Sequence, residues 1–275
     1  MRQSTTERAT RLAPKEARDG IGLPRVIGHR GAAADAPENT LAGFRRAKTL
    51  NCQWVELDVR LTADGQPILL HDNRLERTTN GRGKVSSMSL AAIRRHSAGA
   101  WFSPCFAAER VPTLCEALAL LADLGLGANI ELKAVLGRRG ETGRRVADLL
   151  LRLSPSQMPG LLISSFQPTV LAAARACTPG IARGILFRSI PKRWRAVAEK
   201  LGCTTIHAEQ RRLSPSIVAN IRAAGYPLLA YTVNDPARAS ALFAWGVTSV
   251  FSDNPQSLHE VAAQRDPPAP IRSVL

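Results

Sequence analysis

The chain has 275 residues, 45% of them hydrophobic, and 37 lysines and arginines against 22 acidic residues give a formal net charge of +15. Its length suits one large domain, and its five cysteines, odd in number and without C-x-x-C spacing, exclude a disulfide-stapled scaffold and favour a reducing compartment. No apolar run approaches about 18 residues, which argues against a transmembrane helix, and the basic balance favours an anionic ligand.

The two ends of the chain differ from its middle. Residues 1–24 are polar and charged and lack the apolar centre of a signal peptide, so we expect a flexible basic tail and a cytoplasmic protein. Residues 264–275 are expected to form a second tail, which leaves 25–263 as one folded domain. No helix-turn-helix, zinc-finger or aromatic-interleaved basic motif occurs, so we expect no nucleic-acid partner, and the oligomeric state stays open.

The folded part begins with a short strand and a helix. The apolar residues 25–28 predict a strand that places His29 and Arg30 at its carboxyl end. A helix is predicted from Thr40 to Leu50, because the preceding Pro-Glu-Asn is typical of a helix start. Glu38 and Asn39 either cap this helix or support the loop of His29. The predicted core-facing stripe comprises Leu41, Phe44, Ala47 and Leu50.

The next predicted strand, 54–59, carries two carboxylates on one face. Side chains alternate along a strand, so Glu56 and Asp58 lie together while the apolar residues face the other way. By itself, such a pattern more often belongs to ordinary salt bridges on a solvated face.

A hairpin is predicted to follow this strand. The turn at 63–66 is too short for a parallel crossover, which needs about a dozen or more residues, so the run at 67–70 should return antiparallel. Pairing Thr62 with Pro67 would then set Asp58 across from His71. The histidine would thus return to the carboxylates.

Residues 73–110 fit no unit of strand and helix. The segment is long, polar and rich in glycine and serine, and it contains Trp101 and Phe102. We expect an insertion that lies over the mouth of the fold. A surface excursion without a catalytic role is the alternative.

The strand predicted at 128–133 repeats the acidic pattern. Glu131 and Lys133 share one face, so a third carboxylate and a cation can meet Glu56 and Asp58. Three carboxylates suit Mg²⁺ or Ca²⁺ better than Zn²⁺, which prefers nitrogen and sulfur ligands.

Apolar runs alternate with amphipathic stretches to the end of the domain. One helix is predicted with Asp235 as its cap, Pro236 in its first turn and Gly246 at its end. With the hairpin arm set aside, eight strands are predicted, the number that an α/β protein needs for a closed TIM-type (β/α)8 barrel. They lie near residues 25–29, 54–59, 128–133, 160–166, 181–187, 204–208, 228–233 and 248–252.

Short motifs are spread along the chain in a definite order. They are His29-Arg30-Gly31, Ala36-Pro37-Glu38-Asn39-Thr40, Glu56-Leu57-Asp58-Val59, Thr62 with Asp64-Gly65, His71-Asp72, Arg77-Thr78-Thr79-Asn80-Gly81, Val111-Pro112-Thr113-Leu114, Asn129-Ile130-Glu131-Leu132-Lys133, Ser164-Ser165-Phe166 and Ser252-Asp253. In this order, from about residue 25 to about residue 262, they resemble the glycerophosphodiester phosphodiesterase family. One departure is Tyr231, which stands where the family usually has tryptophan. It affects the shape of one pocket wall and therefore which alcohol group of the substrate is accepted.

The resemblance implies a TIM-type barrel, a bound divalent metal, and hydrolysis of glycerophosphodiesters to glycerol 3-phosphate and an alcohol. Which histidine is the acid, and whether water or the substrate's own glycerol 2-hydroxyl is the nucleophile, stays open. The residues implied are His29 and His71 for acid and base catalysis, Arg30, Lys133 and Tyr231 for substrate, and Glu56, Asp58 and Glu131 for Mg²⁺ or Ca²⁺.

Two other functions compete with this one. A lysophospholipase D or phospholipase-like enzyme would use the same site on lipids and needs an apolar patch at the mouth, for which Trp101, Phe102 and Phe106 are the candidates. A non-catalytic binding protein is expected to have lost a histidine or a carboxylate of the site, and none is missing here.

Overall fold

The computed structural model describes residues 22–152 and 160–263, so the predicted tails lie outside the described residues except for 22–24. All strands but β3 are mutually parallel, and β1 pairs with both β2 and β9, so eight strands close into a barrel. This confirms the predicted barrel. The strands are β1 (Val26–Gly28), β2 (Trp54–Leu61), β3 (Pro67–Leu69), β4 (Gly127–Leu132), β5 (Leu161–Ser165), β6 (Ala182–Phe187), β7 (Thr205–Glu209), β8 (Leu228–Tyr231) and β9 (Ser249–Ser252).

Helices connect successive barrel strands and pack on the outside of the sheet. The first begins at Leu41, with the Thr40 side chain accepting a hydrogen bond from the Gly43 N–H, and it buries Phe44 as predicted. The helices are α1 (Leu41–Thr49), α2 (Leu90–Ile93), α3 (Leu114–Asp123), α4 (Arg139–Arg152), α5 (Pro168–Cys177), α6 (Trp194–Leu201), α7 (Pro215–Ala223), α8 (Pro236–Trp245) and α9 (His259–Ala263). The cap at Asp235 and the left-handed Gly246 at the end of α8 are confirmed.

Apolar side chains fill the barrel interior below the carboxyl ends of its strands. Ile27, Leu162, Leu229 and Phe251 form a buried cluster with Trp54, the first residue of β2. A Cβ on Gly127 would lie 2.3 Å from the Trp54 ring, so glycine makes room for the indole. Because apolar side chains fill the lower part of the barrel, polar groups collect at the carboxyl-terminal end of the strands. Barrels of this type have their active sites at that end.

The hairpin forms, but its predicted register is wrong by one residue. Leu61 pairs with Pro67, and the Leu70 N–H donates to the Asp58 carbonyl at 3.0 Å, so Leu70 and not His71 stands opposite Asp58. The reason is the turn, in which the Thr62 N–H bonds the Gln66 carbonyl at 3.1 Å. Gly65, at φ 76°, allows this shorter three-residue connection.

The segment 73–110 has a small core of its own. It holds α2 and two short 3₁₀ turns, and its apolar side chains pack on the hairpin. The buried members of this cluster are Ile68, Leu70, Leu75, Val85, Ile93, Ala98 and Val111. The domain boundaries given above, including those of the insertion, stay predictions.

Gly31 shapes the loop that carries His29 and Arg30. Its φ is 97°, and a Cβ there would lie 2.7 Å from the carbonyl carbon of Gly43 in α1. We expect Gly31→Ala to lower the free energy of unfolding by at least about 2 kcal/mol, because it adds backbone strain and a clash with main-chain atoms. Thermal and urea unfolding measure this. Gly180→Ala is the control, since no atom lies within 4 Å of a Cβ there, and an equal loss in both variants would contradict the argument.

Candidate active site

Three carboxylates from neighbouring strands meet inside the barrel. Glu56 and Asp58 are two residues apart on β2, so both side chains point inward. Asp58 is in register with Glu131 of β4. Their side-chain oxygens lie within 4.8 Å of one another, and all three residues are buried. The structure therefore brings together the acidic residues that the sequence predicted to converge.

This cluster fits a divalent cation. Burial, together with the charges of Asp58 and Glu131, raises the pKa of Glu56 well above its usual value, so the carboxylates repel one another as they stand. Glu56 Oε1 and Asn129 Oδ1 are buried without a hydrogen-bond partner. A hard cation with oxygen ligands would satisfy such atoms and relieve the repulsion.

Two basic side chains contact the same carboxylates. The Lys133 Nζ lies 2.6 Å from Glu131 Oε1 and 3.2 Å from Asp58 Oδ1, and Arg30 Nε lies 3.2 Å from Asp58 Oδ2. Burial alone would raise the pKa of Asp58, but Lys133 and Arg30 hold it well below its usual range. Asp58 is therefore charged, and the two cations are held at the rim of the carboxylate cluster.

His29 is oriented by a carboxylate that directly follows the last barrel strand. Its Nδ1 lies 2.6 Å from Asp253 Oδ1, and Asp253 in turn accepts a hydrogen bond from Asn234 Nδ2 at 2.8 Å. The other ring nitrogen, Nε2, lies 3.8 Å from Glu56 Oε2. No role was predicted for Asp253, although its position directly after an apolar strand is the signal that could have identified it.

His71 is anchored in the same way by its neighbour. Its Nδ1 lies 2.6 Å from Asp72 Oδ1, and Arg77 holds Asp72 through a 2.8 Å bond from its Nε. Arg60 donates two hydrogen bonds to the His71 carbonyl, at 2.9 and 2.6 Å. Burial lowers the pKa of His71. The imidazole is thus fixed in place by contacts with both its ring and its backbone.

Glu38 and Asn39 support the site, which decides between the two interpretations left open above. Thr40, and neither of them, caps α1. The Asn39 side chain forms two hydrogen bonds with Asp58: it donates to Oδ2 at 2.8 Å and accepts from the Asp58 N–H at 3.0 Å. Glu38 accepts hydrogen bonds from Arg30 at 2.8 Å and from Arg77 at 2.7 Å.

A cavity of about 350 Å³ lies at the carboxyl ends of the strands. Seven of the eight residues selected from the sequence line it, and Asp58 lies buried beneath. The seven are His29, Arg30, Glu56, His71, Glu131, Lys133 and Tyr231. Tyr231 forms a wall, held by a 2.9 Å bond from its hydroxyl to the Phe187 carbonyl. His207 lies at the floor, where burial lowers its pKa to about 3 and keeps it neutral.

The described residues include no helix of the length and apolar character needed to cross a membrane.

Comparisons with known proteins point to one family. Residues 29–257 match the model of the glycerophosphoryl diester phosphodiesterase family. The glycerophosphodiester phosphodiesterase of Caldanaerobacter subterraneus is 31% identical over 85% of this chain and 95% of its own, and that of Bacillus subtilis is 32% identical over 86% and 85%. A solved Oleispira antarctica phosphodiesterase, in complex with its product sn-glycerol-3-phosphate, superposes with a TM-score of 0.85 at 40% identity, covering 88% of this chain and 98% of that one.

Proposed function

This chain belongs to the glycerophosphoryl diester phosphodiesterase family and is a hydrolase, and we propose that it cleaves glycerophosphodiesters to glycerol 3-phosphate and an alcohol. The observation that carries the proposal is the pairing of two carboxylate-anchored histidines with a buried cluster of three carboxylates in one cavity. Proton transfer and charge neutralisation are the two requirements of phosphodiester hydrolysis.

The histidines divide the proton transfers in this proposal. One accepts the proton of the attacking hydroxyl, and the other donates a proton to the alkoxide as its bond to phosphorus breaks. The 2.6 Å contacts of their Nδ1 atoms with Asp253 and Asp72 leave Nε2 of each ring for the substrate. Water and the glycerol 2-hydroxyl both remain candidates for the nucleophile.

Charge neutralisation falls to basic residues and to a cation. Arg30 and Lys133 bind the non-bridging phosphoryl oxygens, where negative charge grows in the transition state. Glu56, Asp58 and Glu131 would hold Mg²⁺ or Ca²⁺, which when bound draws negative charge from the phosphoryl group.

Release of glycerol 3-phosphate from purified glycerophosphocholine and glycerophosphoglycerol tests the proposal. We expect equal amounts of glycerol 3-phosphate and of the free alcohol from the wild-type protein, and release at least about 10²-fold slower from a variant lacking both His29 and His71. Cleavage on the other side of phosphorus, giving glycerol and a phosphorylated alcohol, would contradict it.

The lysophospholipase D alternative is less well supported. Trp101, Phe102 and Phe106 stack edge to face on one another, with ring centroids 5.6 and 5.7 Å apart, and so partly satisfy their own apolar surface. Including lysophosphatidylcholine beside glycerophosphocholine in the same assay separates the two activities. A higher kcat/KM on the lysolipid would favour the alternative.

Lys133 and Glu131 separate phosphate binding from cation binding. Lys133→Ala removes a positive contact to the phosphate but leaves three carboxylates, so kcat/KM should fall while cation affinity persists or rises slightly. Glu131→Gln should instead weaken the cation first. Isothermal titration with Mg²⁺ and Ca²⁺, beside steady-state kinetics, measures both. Loss of cation binding in Lys133→Ala would mean that this lysine shapes the ion site.

A further inference from the structure

A second cavity, of about 420 Å³, opens beside the candidate active site. We call it the arginine groove, after Arg188, Arg211 and Arg212, which line it together with Glu209. Glu209 ends β7, and the three arginines lie on the loops that follow β6 and β7. Loops at this end of a barrel are where substrate specificity is set.

The arginine groove is continuous with the catalytic cavity. Phe166, Arg188, Tyr231 and Thr232 line both spaces. Phe166 and Tyr231 meet edge to face, with ring centroids 5.8 Å apart. A substrate whose phosphate lies at His29 and His71 can therefore extend past these two rings into the groove.

Among the described residues, only part of the groove's positive charge is paired with a carboxylate. Glu209 pairs with Arg212 at 3.3 Å, but across the described ranges no carboxylate lies within ion-pair distance of Arg188 or Arg211, and both side chains are exposed. The cavity next to His71 is different, because two of its three arginines are paired with carboxylates, Arg74 with Glu76 at 2.6 Å and Arg77 with Asp72 at 2.8 Å. The third, Arg60, donates to the His71 carbonyl at 2.9 and 2.6 Å. Two guanidinium groups without a carboxylate partner in the described part of the chain thus line the space beyond the Tyr231 wall.

We infer that the arginine groove binds an oxyanion carried by the alcohol half of the substrate. Guanidinium groups bind phosphates and carboxylates through paired, charge-assisted hydrogen bonds. The glycerol half of a glycerophosphodiester has only neutral hydroxyls, so a second negative charge must come from the alcohol. This inference rests on the proposed function, and it makes diesters of phosphorylated or carboxylated alcohols the preferred substrates.

Two matched pairs of substrates test the inference. Glycerophosphoinositol 4-phosphate and glycerophosphoinositol differ by one phosphate, and glycerophosphoserine and glycerophosphoethanolamine by one carboxylate. We expect kcat/KM to be about tenfold higher for the anionic member of at least one pair, and the pair that shows it identifies the oxyanion. The preference should shrink as salt is raised to about 0.5 M, since exposed charges are screened.

Arginine variants connect this preference to the groove. Arg188→Gln and Arg211→Gln should each lower kcat/KM on the anionic member about fivefold more than on its neutral partner, and the double variant should bring the ratio near one. Arg45→Gln is the matched control. It removes another exposed arginine, in α1, for which the described part of the chain holds no ion pair, so it should not change the ratio.

The possible failures are distinguishable. If no substrate releases glycerol 3-phosphate, the proposed function is wrong. If all substrates are hydrolysed but kcat/KM is no higher for the anionic members, the groove does not bind the alcohol's oxyanion and the inference is overturned. The same follows if the arginine variants lower kcat/KM equally for both members of a pair.

Discussion

Replacing His29 or His71 with alanine is expected to lower kcat by about 10²- to 10⁴-fold, because each imidazole transfers a proton that alanine cannot. Both rings are fixed by 2.6 Å contacts with a carboxylate, and both line the cavity that holds the carboxylate cluster. The loss of kcat in the double variant should be much smaller than the product of the two single losses, since both histidines act on one transition state. Steady-state release of glycerol 3-phosphate measures the effect.

The control is a histidine outside the cavity. His259 begins α9, so His259→Ala should retain wild-type turnover. Circular dichroism and thermal unfolding show whether each variant keeps its fold. Near-normal kcat in folded His29→Ala or His71→Ala would reduce that residue to a structural role.

Removing divalent cations is expected to abolish activity, and Mg²⁺ or Ca²⁺ should restore it. The cause is the buried cluster of Glu56, Asp58 and Glu131, whose mutual repulsion is evident in the raised pKa values of Glu56 and Glu131; for both, burial contributes most and neighbouring carboxylates add to it. Activity is assayed after dialysis against excess chelator and again after each cation is added back.

A second measurement does not depend on turnover. A cation that binds only the folded protein raises the unfolding temperature in a concentration-dependent way. We expect this rise in the wild-type protein and a much smaller one in Glu56→Gln. Full activity in excess chelator, with no thermal shift on adding either cation, would exclude the metal site.

Local patterns in the sequence were sufficient to predict the barrel and the convergence of its three carboxylates. Strand periodicity is a property of neighbouring residues, so the inward faces of β2 and β4, and with them Glu56, Asp58 and Glu131, followed from alternation alone. The eight strands and the cap of α8 at Asp235 likewise depend on short-range signals that the chain carries explicitly.

Tertiary structure decided which distant groups meet. His29 and Asp253 are 224 positions apart, and they meet only because β1 pairs with β9 when the barrel closes. The hydrogen bonds between Asn39 and Asp58 depend on the path of the loop before α1, in which Asn39 has a φ of 56°.

The register of the hairpin and the charge of the arginine groove were likewise decided by the tertiary structure. The register of β3 depends on a turn conformation that a count of residues does not determine, since three- and four-residue connections were both compatible with the residue types present. Whether Arg188 and Arg211 are free or paired depends on the carboxylates that folding brings near them. The sequence by itself thus determined which residues face the barrel interior, because alternation is local. Only the folded chain decided their partners and the charge of the surrounding loops, because these depend on contacts between residues far apart in sequence.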